Sequence, residues 1–179
     1  LPMKIPANKT AIVLIEPQND FLSPGGTMYA FIKEQLAERN VINNLVELLD
    51  GARGKVAKIF YCPFHEFKPG FPELKKGGPA YEGLRGLECG MKADWGTGAW
   101  LAGTPGPKII PQLAPHESDI VIEGKFTLDA FQSTAIDYLL RANEIEYVAF
   151  VGFHTNWCVE SSARSAYDRG YRVMVIGDC

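Results

Sequence analysis

The sequence predicts an α/β fold built on a mostly parallel sheet, and three observations carry that prediction. Short, wholly apolar runs such as residues 10–15 (TAIVLI) lack polar alternation, as strands covered on both faces do. Segments with apolar residues at helical spacing lie between those runs. Strand and helix alternate along the chain, and that order implies right-handed crossovers between parallel strands.

Taken in order, residues 10–15 form the first strand, and Glu16-Pro17 ends it because proline has no N–H for a ladder. Residues 32–49 read as one helix, with Leu36, Val41, Leu45, Leu48 and Leu49 approximating one apolar face. Residues 56–61 (VAKIFY) make a second strand and residues 120–122 (IVI) a third, followed by an amphipathic helix over 131–142. The stretch 147–170, YVAFVGFHTNWCVESSARSAYDRG, is the most informative. It reads as a buried strand through Val148, Phe150 and Val151, a tight turn, and a helix with Cys158 in its first turn and Gly170 as its stop. Residues 172–176 (RVMVI) make the last strand. Residues 63–107 break the rhythm: they are rich in Gly and Pro and carry Phe64, Phe67, Phe71, Tyr81, Trp95 and Trp100. Loops this long are uncommon inside compact domains. Their aromatics argue for a packed loop beside a pocket or a subunit interface rather than a disordered one.

Composition narrows the function classes. A chain of 179 residues suits a single domain over 1–179 that buries about 70% of its unfolded surface. Hydrophobic content of 46% and charged content of 22% are those of a globular protein. A net charge of −3 leaves no basic footprint, so nucleic acid and membrane surfaces are not expected partners. No apolar run approaches the roughly 18–20 residues that span a bilayer, and the first residues show no signal-peptide pattern. Cys62, Cys89, Cys158 and Cys179 include no CxxC pair, and reduced thiols in a cytoplasmic compartment are the simpler reading. The chain opens without Met and stops directly after a strand, so a further C-terminal helix is expected.

Open α/β sheets place ligands at the carboxyl ends of their strands. Glu16 follows the first strand, Lys125 the third and Cys158 the fourth, so a carboxylate, an amine and a thiol are expected on one edge. A thiol at a helix N-terminus faces unpaired N–H groups and the positive end of the dipole, which favour thiolate. Glu16 would exchange protons with the thiol and a leaving group, Lys125 would hold the anions, and Cys158 would attack a carbonyl. Each residue also has a plain structural reading: a Glu that caps a turn, a solvated Lys, a small buried core thiol.

The motifs AIVLIEPQNDF (11–21), GTPGPKIIPQL (103–113), VIEGKFTLDAF (121–131) and VGFHTNWCVESSARSAYDRGYRVMVIGD (151–178) resemble the isochorismatase-like superfamily of cysteine hydrolases over nearly the whole chain. That superfamily includes nicotinamidases, N-carbamoylsarcosine amidohydrolase and ureidoacrylate amidohydrolases. The resemblance implies a three-layer α/β/α sandwich around a mostly parallel, Rossmann-like sheet of about six strands, assembled as a homo-oligomer. It also implies a catalytic triad of Glu16, Lys125 and Cys158, and a cis peptide at Phe153–His154 that aims the backbone N–H groups of His154 and Cys158 at an oxyanion.

The departures are informative. Most members carry Asp where this chain has Glu16, with Asp20 the fallback carboxylate. Nicotinamidase-type members bind a metal through an Asp-x-His motif, and here the matching stretch is Pro63-Phe64-His65, with His116 and His154 the other histidines. One imidazole does not make a zinc site, so neither a metal nor another cofactor is expected. The cysteine favours C–N bond cleavage over vinyl ether hydrolysis. Phe21, Trp95, Trp100, His154 and Trp157 are the candidate wall for a small planar substrate, with core or interface packing as the alternative. The expected function is hydrolysis of a small amide, carbamoyl or ureido compound through a thioester. The rivals are an isochorismatase-type hydrolase, a detuned binding protein, and a redox protein in which Cys62 resolves Cys158.

Overall fold

The computed structural model describes residues 4–82 and 99–179. Among them, five strands form one parallel sheet: β1 (Thr10–Ile15), β2 (Lys58–Cys62), β3 (Ile120–Val121), β4 (Tyr147–Gly152) and β5 (Arg172–Val175). Their order is β3-β2-β1-β4-β5, with β1 at the centre. Ala11 stands beside Lys58 on one side and Val148 on the other. Helices among the described residues that accompany the sheet include α1 (Asn19–Leu22), α2 (Tyr29–Glu38), α3 (Val41–Ala52), α4 (Ile136–Ala142) and α5 (Glu160–Asp168).

The apolar runs are buried on both faces because helices cover both. Ile12, Leu14, Ile59, Tyr61, Ala149 and Val151 pack with Ile32 and Leu36 of α2 and Val41, Leu45 and Leu49 of α3. The alternate residues Ala11, Val13, Ile15, Phe60, Val148 and Phe150 pack with Ile136 and Leu140 of α4 and Ala166 of α5. This is the expected three-layer arrangement. Each fully buried aliphatic or aromatic side chain in it contributes about 1.5–3 kcal/mol. No described helix is long and apolar enough to cross a membrane.

Local chemistry moves several boundaries. The expected helix over 32–49 is two helices, because Asn40 adopts a left-handed backbone (φ 53°) between α2 and α3. Asn tolerates that conformation better than other non-glycine residues. The helix expected from 131 starts at Ile136. Upstream of it, Asp129 accepts from the Phe131 N–H at 2.8 Å, and Thr134 Oγ1 accepts from the Ile136 N–H at 3.1 Å. These side chains compete for backbone groups that a helix would otherwise use. Cys158 belongs to a π turn (Thr155–Val159) ahead of α5, closed by Val159 N–H to His154 C=O at 3.2 Å. The sheet has five described strands rather than about six.

The described parts of residues 63–107 are packed, as their aromatics imply. Phe67 donates to the Trp100 carbonyl at 2.8 Å and accepts from Ala102 at 2.7 Å, and Phe67, Phe71, Trp100 and Leu101 are buried.

Candidate active site

The carboxyl ends of β1, β3 and β4 deliver the three polar side chains. Glu16 follows β1 directly and adopts a left-handed backbone (φ 53°), which few non-glycine residues do. Its N–H donates to the Cys62 carbonyl at 3.1 Å, and its side chain is buried. Lys125 is 0% exposed, so it is no solvated edge residue. Its ammonium pairs with Glu16, donates to the Thr127 carbonyl at 2.8 Å, and stands 5.0 Å from the centre of the Phe64 ring. Cys158 is 3% exposed, with the Glu16 carboxyl and the His154 backbone N–H as the groups that act on its thiol together with Lys125. The Phe153–His154 peptide is cis.

The electrostatics differ from the sequence expectation in one respect. Burial raises the Glu16 carboxyl above its ordinary value, while the Lys125 charge and hydrogen bond, and to a lesser extent the neighbouring Cys158 thiol, pull it back down. Burial and the Glu16 charge raise the Cys158 thiol, and Lys125 and the His154 N–H oppose them without winning. The fold thus favours a protonated thiol beside the buried Glu16–Lys125 pair. The sulfur lies in a π turn, buried and facing a carboxylate, and both of these oppose the effect expected of a helix end. Cys62, at the end of β2, is also buried, and its thiol is pushed up to about 12.

Asp20, the fallback acid, holds loops instead. It accepts from Thr27 Oγ1 at 2.9 Å and from the Trp100 N–H at 2.7 Å. Gly106 passes so close that a Cβ there would lie 2.3 Å from the Asp20 carboxylate. Phe21, Trp100 and His154 form a contiguous aromatic group, with Phe21 5.4 Å from Trp100 and 5.2 Å from His154. Trp157 lies 5.4 Å from His154 at the surface. Trp95 lies outside the described residues. A cleft of about 740 Å³ borders His154 and Trp157 on one side and Ile32 and Leu36 on the other, without reaching Glu16, Lys125 or Cys158. Among the described residues, no group of three or more His, Cys, Asp or Glu side chains is placed to hold a metal ion. His65 instead stacks on Phe126, with ring centres 4.0 Å apart.

Two supports were not singled out in the sequence. Asp129 accepts from Ser165 Oγ at 2.8 Å, tying the segment that carries Lys125 to α5. Gln18 is fully buried and hydrogen-bonded through its whole amide. A glutamine two residues past the acid, at a position the fold buries, was the available signal.

This geometry has relatives. The sequence model of the isochorismatase domain matches residues 10–179. The chain belongs to the isochorismatase family. It is 30% identical to the ureidoacrylate amidohydrolase RutB of Rhizobium rhizogenes, across 99% of this chain and 72% of that protein. It is also 30% identical to the RutB of Agrobacterium fabrum, across 99% and 78%. Among solved structures, a cysteine hydrolase from Pseudomonas syringae pv. phaseolicola superposes with TM-score 0.76 at 22% identity, covering 99% of this chain and 75% of that one. N-carbamoylsarcosine amidase from Thermoplasma acidophilum superposes with TM-score 0.66 at 25% identity, covering 95% and 82%. As an isochorismatase-like cysteine hydrolase, this chain places Glu16, Lys125 and Cys158 at one buried point of the family fold.

Proposed function

We propose that the protein hydrolyses the C–N bond of a small amide, carbamoyl or ureido compound, with Cys158 as nucleophile, Glu16 as proton carrier and Lys125 as charge partner. The observation that carries this reading is the convergence of thiol, carboxylate and ammonium at one buried point. Relatives named for ureidoacrylate and N-carbamoylsarcosine support the substrate class.

As the sulfur bonds to the substrate carbonyl carbon, its proton passes to Glu16. The carbonyl oxygen takes the negative charge beside the backbone N–H groups of His154 and Cys158. Glu16 then protonates the nitrogen, the C–N bond breaks, and ammonia or an amine leaves behind a thioester. A water that loses its proton to Glu16 attacks the thioester, the C–S bond breaks, and the proton returns to sulfur. Lys125 keeps its charge throughout and balances whichever group is anionic. The substrate is a small molecule, taken by the wall of Phe21, Trp100, His154 and Trp157, and the working form is a homo-oligomer.

The test is ammonia release across a panel of small amides, ureas and carbamoyl compounds. Turnover by the wild type, its loss in Cys158→Ala with folding intact, and an acyl adduct on Cys158 by mass spectrometry are the expected results. Unchanged activity in Cys158→Ala would end the proposal. The raised thiol favours one rival, a protein that binds the same compounds without cleaving them. Binding without ammonia release across the panel would establish that rival.

A further inference from the structure

The proposed reaction needs Glu16 and Lys125 held at a fixed separation, and one buried side chain spans the support of both. Gln18 is 0% exposed. Its Oε1 accepts from the Phe64 N–H at 2.7 Å, and its Nε2 donates to the Phe64 carbonyl at 2.9 Å and the Pro107 carbonyl at 2.8 Å. Both amide protons and the oxygen are used. Its own backbone N–H donates to the Glu16 carbonyl at 2.8 Å. Phe64, gripped at both ends of its backbone, pairs with Lys125 in a parallel bridge and sets its ring under the ammonium at 5.0 Å. The next residue, His65, donates to the Lys125 carbonyl at 2.8 Å. Glu16, Gln18, Phe64 and Lys125 thus close a loop of contacts around the ion pair.

We propose that Gln18 is a positioning residue that fixes the separation and orientation of Glu16 and Lys125, and so the readiness of Glu16 to take the Cys158 proton. Its catalytic consequence rests on the amidase reading; the geometric claim does not. Asn19 offers a comparison within the same segment. Its amide donates to the Pro105 and Lys108 carbonyls at 2.9 and 3.0 Å, anchoring the same long loop without touching Phe64. A merely structural role would make Gln18 and Asn19 behave alike.

Gln18→Met keeps the length and loses the hydrogen bonds, Gln18→Asn keeps the amide one methylene short, and Asn19→Ala is the control. In Gln18→Met and Gln18→Asn, kcat falls by about tenfold or more while KM stays within roughly threefold, the pattern of an interaction that acts in the transition state. Independently of turnover, the rate of Cys158 alkylation by iodoacetamide at fixed pH, read on its peptide by mass spectrometry, changes by about tenfold or more, because Glu16 and Lys125 act on the thiol in opposite directions and both shift when their support is lost. Asn19→Ala leaves both readouts within about twofold of the wild type. If both Gln18 variants alkylate at the wild-type rate, or the control moves as far as they do, the proposal is overturned. If the wild type releases no ammonia but the Gln18 variants still change alkylation, the amidase reading falls and the positioning role stands.

Discussion

Separating Lys125 from Glu16 tests the site through stability alone. Both side chains are buried, at 0% and 1% exposure, with no solvent to take over from a lost partner. Breaking a buried ion pair from one side costs about 3–5 kcal/mol, because the surviving charge is left uncompensated. Lys125→Met should therefore lower stability by that amount, a fall in Tm of roughly 6–20 °C for a chain of this size. Replacing both residues, with Lys125→Met and Glu16→Leu together, removes the charge problem and leaves mainly the Thr127 carbonyl without its donor, a cost of about 1–3 kcal/mol. The double variant should then be more stable than the sum of the singles by roughly 3 kcal/mol or more. In Lys125→Met, burial still raises the Glu16 carboxyl above its unfolded value of 4.5, with no ammonium to pull it back. The folded state then holds a proton that the unfolded state releases, so stability is highest below that value and falls as pH rises through the folded pKa. Urea unfolding of the four proteins at about pH 4.5 and pH 8 reads both effects. A single variant within about 1 kcal/mol of the wild type, or strict additivity, would refute a coupled buried pair.

Three further outcomes follow from the same geometry. Gly152 has φ 112°, and a Cβ there would lie 2.1 Å from the Ile15 carbonyl oxygen, so Gly152→Ala should destabilise by about 3 kcal/mol or more in a denaturant titration. Alkylation of Cys158 at about pH 8 should be at least tenfold slower than for a free thiol and should keep rising through pH 9, because burial and Glu16 raise the thiol; a plateau below about pH 8 contradicts this. The acidic limb of kcat/KM should fall above the ordinary Glu value of 4.5, since burial raises the Glu16 carboxyl; a limb at or below it removes Glu16 as the base.

The sheet was legible because β1 and β4 are wholly buried, and apolar runs carry that information without reference to distant residues. The convergence of Glu16, Lys125 and Cys158 was legible because strand ends are fixed by the same runs. What escaped was set by side chains acting on backbone. Asn40 breaks a helix whose apolar spacing continues past it, and Asp129 and Thr134 delay another. The protonation of Cys158 escaped for a different reason. Its place in the chain shows the dipole, while the desolvation and the facing carboxylate that overrule it belong to the packed fold. Gln18 was hidden because its partners, Phe64 and Pro107, lie 46 and 89 residues away.

A neutral resting thiol does not weaken the case for catalysis, because the charge count of the site is unchanged by the proton transfer. Carboxylate, ammonium and thiol become acid, ammonium and thiolate, and the buried cluster is neutral before and after. The desolvation that raises Cys158 also raises Glu16, so burial alone decides little about the transfer between them. Lys125 decides more: it is hydrogen-bonded to Glu16, not to the sulfur, and so favours the carboxylate at rest. In the proposed reaction, sulfur would therefore gain its charge only as it loses it again to the carbonyl oxygen, with proton transfer and attack proceeding together. On that proposal, the site would keep its thiol protected from adventitious electrophiles and activate it through a substrate carbonyl that reaches the His154 turn. Reactivity then depends on how Glu16 is held, which is why the support around Glu16 and Lys125 matters more to this reading than the titration of Cys158.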